Sequence, residues 1–116
     1  MQLTLQDNQI WIGNQAVDFR RSIDGLCSVI AEQFNRNPQA GLYIFYNRTR
    51  DKIKALGWHR NGFVLIYKRL ERGRFHVINH ENDFISLDKL QLSWLLAGLD
   101  WPTMTSWDEL EYEEFY

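Results

Sequence analysis

The sequence predicts one α+β domain: an antiparallel β-meander of about four or five strands with two helices packed on one of its faces. Three observations predict it. Short runs of bulky and β-branched residues alternate with turn signals, and two stretches carry a helical period instead. The chain of 116 residues is 45% hydrophobic and 15% aromatic, enough for one packed core at the commonest domain size.

Taken in order, Gln9-Ile10-Trp11-Ile12 before Gly13-Asn14 reads as a strand entering a turn. From Ser22, a natural N-cap, Ile23, Leu26, Cys27, Ile30 and Phe34 recur at helical spacing, giving a helix over 23–35 that Pro38 cannot continue. Gly41 then opens Leu42-Tyr43-Ile44-Phe45-Tyr46, a run too short for a helix and covered on both faces as a central strand. Lys52–Trp58 and Phe63–Tyr67 form its hairpin neighbours, with the positive φ angles of the turn supplied by Asn61-Gly62. Arg74–Ile78 adds a further strand after Gly73. After Ser86 the residues Leu87, Leu90, Trp94 and Ala97 mark a second helix over 87–97, with Gly98 just past its end and Pro102 beyond. The domain is expected to span 1–101. Residues 102–116 make an acidic, aromatic tail whose charge complements the basic sheet and which is expected to fold back and screen it.

Charge is unevenly spread. Residues 1–80 hold twelve Lys/Arg and six Asp/Glu, a balance of +6, whereas 81–116 hold one and nine, a balance of -8. Such a body suits either a polyanion or an acidic partner surface. The strongest signal is a comb, Arg48, Arg50, Lys52 and Lys54, at every second position. Extended backbone puts all four on one face about 6.6 Å apart. Arg60, Lys68, Arg69, Arg72 and Arg74 extend the set, so residues 36–74 carry ten cations against Asp51 and Glu71. Alternating charge also marks an ordinary solvated sheet face, but such faces mix signs and this one is almost all positive. Tyr43, Tyr46, Trp58, Phe63, Tyr67 and Phe75 lie among the cations; most are assigned to the core, with base stacking as the other use of such rings.

Catalytic readings find no support. Asp18, Asp24, Asp51, Glu71 and Asp100 offer no recognisable metal-binding triad, the histidines His59, His76 and His80 lack zinc spacing, and neither a nucleophile elbow nor a phosphate loop occurs. No catalytic residue, metal or cofactor is therefore expected, and no small-molecule substrate. The lone Cys27 reads as a small buried hydrophobe. No apolar run is long enough to span a membrane and the first residues lack a secretory pattern, so the expected location is cytoplasmic.

Several blocks also resemble a known family. Val17-Asp18-Phe19-Arg20-Arg21-Ser22-Ile23-Asp24-Gly25-Leu26, Phe45-Tyr46-Asn47-Arg48-Thr49-Arg50-Asp51-Lys52-Ile53-Lys54, Asn61-Gly62-Phe63 with Tyr67-Lys68-Arg69-Leu70-Glu71-Arg72-Gly73-Arg74-Phe75, and Leu90 through Trp101 stand in the same order in the accessory proteins of insertion sequence 66 elements, often labelled TnpB. The resemblance covers residues 9–101. It implies a small accessory protein encoded beside a separate, larger transposase and assisting transposition, distinct from the RNA-guided nuclease that shares the label. It brings no catalytic residues. The expectation is a non-catalytic factor that binds DNA through Arg48, Arg50, Lys52, Lys54, Arg60, Lys68, Arg69, Arg72 and Arg74, contacting phosphates rather than reading bases. Its rival is an adaptor whose basic face meets the transposase or another element-encoded protein.

Overall fold

The computed structural model describes residues 9–104; the acidic stretch 105–116 and the screening role expected of it lie outside the described residues. Five strands form: β1 (Ile10–Gly13), β2 (Leu42–Tyr46), β3 (Lys52–His59), β4 (Gly62–Arg69) and β5 (Phe84–Ser86). Between β1 and β2 lies helix α1 (Ile23–Ser28), continued by a wider π turn over Val29–Gln33. Helix α2 (Lys89–Leu96) and a 3₁₀ turn (Trp101–Thr103) follow β5.

The sheet is ordered β4-β3-β2-β1-β5 and is mixed. A meander exists only in β2-β3-β4; β1 runs parallel to β2, and β5 runs antiparallel to β1. The reason is connectivity. Adjacent parallel strands need a long crossover, and the helix-bearing segment between Gly13 and Leu42 supplies one.

The two helices cover opposite faces, not one. Ile10, Ile12, Leu42, Ile44, Ile53 and Ala55 point towards Leu87, Trp94, Leu95 and Trp101. Tyr43, Phe45 and Leu56 point the other way, onto Leu26, Val29 and Ile30 of the α1 region. This two-sided cover explains why β2 is buried at all five positions. It follows from the strand period of two, because an all-apolar strand feeds both faces.

Local chemistry sets the boundaries. Leu87 stays out of α2 because its N–H donates to the Ile10 carbonyl at 2.8 Å, extending the sheet, and its side chain is buried. Asp88 then caps the helix in a reciprocal box with Gln91, the two bonds being 2.7 and 2.9 Å. At the other end Gly98 takes φ +77°, and the Leu99 and Gly98 amides donate to the Trp94 and Leu95 carbonyls in a Schellman closure. Ser22 occupies the N-cap of α1 but makes no side-chain cap bond.

Two expectations about strands are corrected. Residues 74–78 form no ladder, although Phe75 is buried and Val77 and Ile78 pack on the core. The strand comes later, at Phe84–Ser86, with Gly13 opposite Phe84. In the β3–β4 hairpin His59 pairs with Gly62, so the two-residue turn is Arg60-Asn61 and Arg60 takes the positive φ of 55°. Trp58 and Phe63, opposite one another with rings 5.0 Å apart, fix that register.

Candidate nucleic-acid interface

The loop between β2 and β3 is built by the residues that interleave with its arginines. Asn47 accepts the Lys52 N–H through Oδ1 at 3.0 Å, and its Nδ2 donates to Asp51 Oδ1 at 2.7 Å. The Thr49 hydroxyl donates to that same Asp51 oxygen at 2.7 Å. These bonds, with Lys52 3.4 Å away, hold the Asp51 carboxyl well below the usual carboxylate range. Backbone bonds from Arg50 N to Asn47 O and from Asn47 N to Lys52 O close the turn, with Arg50 at φ 61°. Arg48 and Arg50 are left exposed.

This loop is tied to the chain that leaves β4. The Leu70 amide donates to the Asp51 carbonyl at 2.8 Å and the Phe75 amide to the Arg50 carbonyl at 2.6 Å. Phe75 and Leu70 anchor the second segment in the core. Arg48, Arg50, Lys52, Arg69, Arg72 and Arg74 are thereby gathered at one end of the sheet, with Lys52 directly opposite Arg69 across the ladder. Arg69 is paired to Glu71 at 2.9 Å. Arg48, Arg50, Arg72 and Arg74 are exposed and make no ion pair among the described residues.

The straight comb is corrected: Arg48 and Arg50 belong to a turn, and only Lys52 and Lys54 lie in a strand. Lys54 is 8% exposed. Its ammonium donates to the Phe19 carbonyl at 2.8 Å and the Arg21 carbonyl at 2.6 Å, over the rings of Phe19 and Tyr67. It pins the segment before α1 to the sheet and stands apart from the exposed set. Lys68 is exposed but donates to the Leu96 carbonyl at 2.5 Å, where it meets the negative end of α2. Arg60 sits at the opposite end of the hairpin, about 24 Å away at the usual strand rise.

The aromatic residues divide. Tyr43, Tyr46 and Phe75 are buried, Trp58 and Phe63 are half-buried, and Tyr67 is 50% exposed. Sequence reasoning missed Asn47, Thr49 and Asp51 as the builders of the loop. The signal was present, because Asn, Thr and Asp at alternate positions are turn formers as surely as the arginines are cations. Among the described residues no three His, Cys, Asp or Glu side chains gather to hold a metal, and no helix is long and apolar enough to cross a membrane.

The basic loop and its supporting segment fall inside a family match that covers residues 8–106, described as IS66 Orf2 like protein. The chain belongs to this family. Two curated relatives, both from Sinorhizobium fredii strain NBRC 101917 / NGR234, are similar to it. The uncharacterized protein y4hO is 34% identical over 97 residues, which is 83% of this chain and 84% of that protein. The uncharacterized protein y4jC is 30% identical over 94 residues, 80% of each. No solved structure matches the chain significantly. Membership in the IS66 Orf2-like family makes this an insertion-sequence-associated accessory protein.

Proposed function

We propose that this protein assists transposition as a non-catalytic DNA-binding factor, gripping phosphates with the basic end of its sheet. The observation that carries the reading is the convergence of Arg48, Arg50, Lys52, Arg69, Arg72 and Arg74, which two backbone bonds hold together. Four of these cations are arginines that no carboxylate neutralises among the described residues. Arginine suits phosphate because its planar fork donates two parallel bonds, and clustered cations gain affinity by releasing counterions. A loop made stiff by Asn47, Thr49 and Asp51 lowers the ordering cost of that contact.

A second reading, an adaptor for the transposase, draws on a different observation. β4 is an edge strand whose outer side has no partner strand, and it exposes Ile66 and Tyr67 by 42% and 50%. An exposed edge of this kind can accept a strand from another protein. The double reversal Arg48→Glu with Arg50→Glu separates the two. The DNA reading expects loss of duplex binding with transposase co-purification intact. Retained duplex binding with loss of the transposase would transfer the function to the adaptor.

A further inference from the structure

A pocket of about 210 Å³ opens on the α1 face, lined by Asn14, Val17, Arg21, Gln33, Phe34 and Phe45 among others. It lies at the same end of the sheet as the basic loop, because β1 and β2 run parallel and the pocket is walled by the segment that leaves β1. The Val17 amide donates to the Tyr46 carbonyl at 3.0 Å, and Tyr46 is followed by Asn47 and Arg48. One hydrogen bond and one residue separate the pocket wall from the first exposed arginine. The region beyond the carboxyl ends of parallel strands is also where sheets with such strands hold their ligands.

The pocket has one unmet need. Asn14 Oδ1 is buried and has no hydrogen-bond partner, although the Asn14 amide is satisfied by the Asp83 carbonyl at 3.2 Å. Buried acceptors are nearly always paired, so an orphan on a pocket wall marks a place for a ligand donor. Val17, Val29, Phe34 and Phe45 supply apolar walls, and Gln33 at the rim offers both a donor and an acceptor. Arg21 is exposed beside them. Asp18 also lines the pocket, but its carboxylate is taken by the guanidinium and backbone N–H of Arg20. A volume below the ~300–1,000 Å³ of drug-sized sites limits the occupant to one ring system or one side chain.

We propose that this pocket receives a single unpaired nucleobase carrying an exocyclic amine, from a DNA strand whose phosphates cross Arg48 and Arg50. The amine donates to Asn14 Oδ1, the ring lies between the apolar walls, and Arg21 meets the phosphate of the inserted nucleotide. The neighbouring cations favour a nucleotide over a protein side chain, which has no use for them. Unpaired bases are the cheapest to extract from a stack, so the site selects distorted or single-stranded DNA over perfect duplex. The proposal rests on reading the basic end as a DNA surface.

The test compares a duplex containing one bulged 2-aminopurine with a fully paired duplex of the same sequence, using the full chain. The bulged duplex is expected to bind about tenfold more tightly, with a change in 2-aminopurine emission on binding. Asn14→Ala, which removes the orphan acceptor, and Ala16→Trp, which blocks the rim from an exposed position, should each abolish the preference and leave paired-duplex affinity as it was. Circular dichroism melting confirms that both variants fold. Equal affinity for the two duplexes, or a preference that survives both substitutions, overturns the pocket proposal and leaves the DNA surface standing. Binding to neither duplex overturns both.

Discussion

Lys54 sits beneath the rings of Phe19 and Tyr67 with its ammonium on two backbone carbonyls, so its charge serves the fold. Hydrogen bonds to a charged group contribute about 1.5–3 kcal/mol. Lys54→Met should therefore lower unfolding free energy by about that much in urea titrations, while the folded variant keeps its DNA affinity. A phosphate-contacting lysine would show the reverse pattern. Asp51 and Asp18 make a prediction in pH. Both carboxyls are held below their ordinary range, Asp51 by Asn47 and Thr49, and Asp18, at about 2, by Arg20. Their contributions are full above the unfolded carboxylate pKa of ~4 and fade as pH falls from there towards the folded values. Melting temperature should hold between neutral pH and about 4 as far as these groups are concerned, then drop, and Asp51→Asn should flatten part of that drop. The sequence made the cations legible but not their division of labour. Lys54 and Lys52 are two residues apart on one strand, and only the α1 approach, which brings the Phe19 and Arg21 carbonyls over Lys54, distinguishes them.

β2 and α2 were readable because local signals and tertiary packing agree in them. An unbroken apolar run became a strand buried on both faces, and Gly98 closed its helix with the positive φ that glycine adopts freely. β5 was hidden because three residues carry no period, and it exists only through pairing with β1. The stretch 74–78 had the pattern of a strand without a neighbour to bond. β1 was found, but its parallel pairing was not, since the crossover through α1 was read as a step in a meander. That pairing depends on a close approach at Gly41, where an added Cβ would stand 2.2 Å from the Gln9 carbonyl oxygen and 2.9 Å from the Trp11 ring. Gly41→Ala should cost about 2 kcal/mol or more through displacement of β1. Thermal melting checks the cost, and amide exchange should quicken first at Ile10–Ile12.

Across the whole molecule, charge is organised by topology more than by sequence order. Arg48 and Arg74 are far apart along the chain yet share one end of the sheet, whereas Arg60, nearer to both in sequence than they are to each other, stands at the far end of β3. No alternation pattern encodes that separation; the hairpin does. Residues 8–106 carry the family match, so this arrangement belongs to the part of the chain that defines its membership. The resemblance was legible from four motif blocks, but it names a role in transposition without naming a surface. The basic end supplies one, and it is testable against Arg60 as an internal control. The decisive measurement is duplex binding across a salt series for the native chain, for a variant with Arg48, Arg50, Arg72 and Arg74 changed to Ala, and for Arg60→Ala. The account predicts that the log-log salt slope of the quadruple variant shallows by roughly one for each cation that touched a phosphate, while Arg60→Ala leaves it unchanged. Equal slopes for the native and quadruple-variant proteins, or a loss in Arg60→Ala as large as in the quadruple variant, would contradict it.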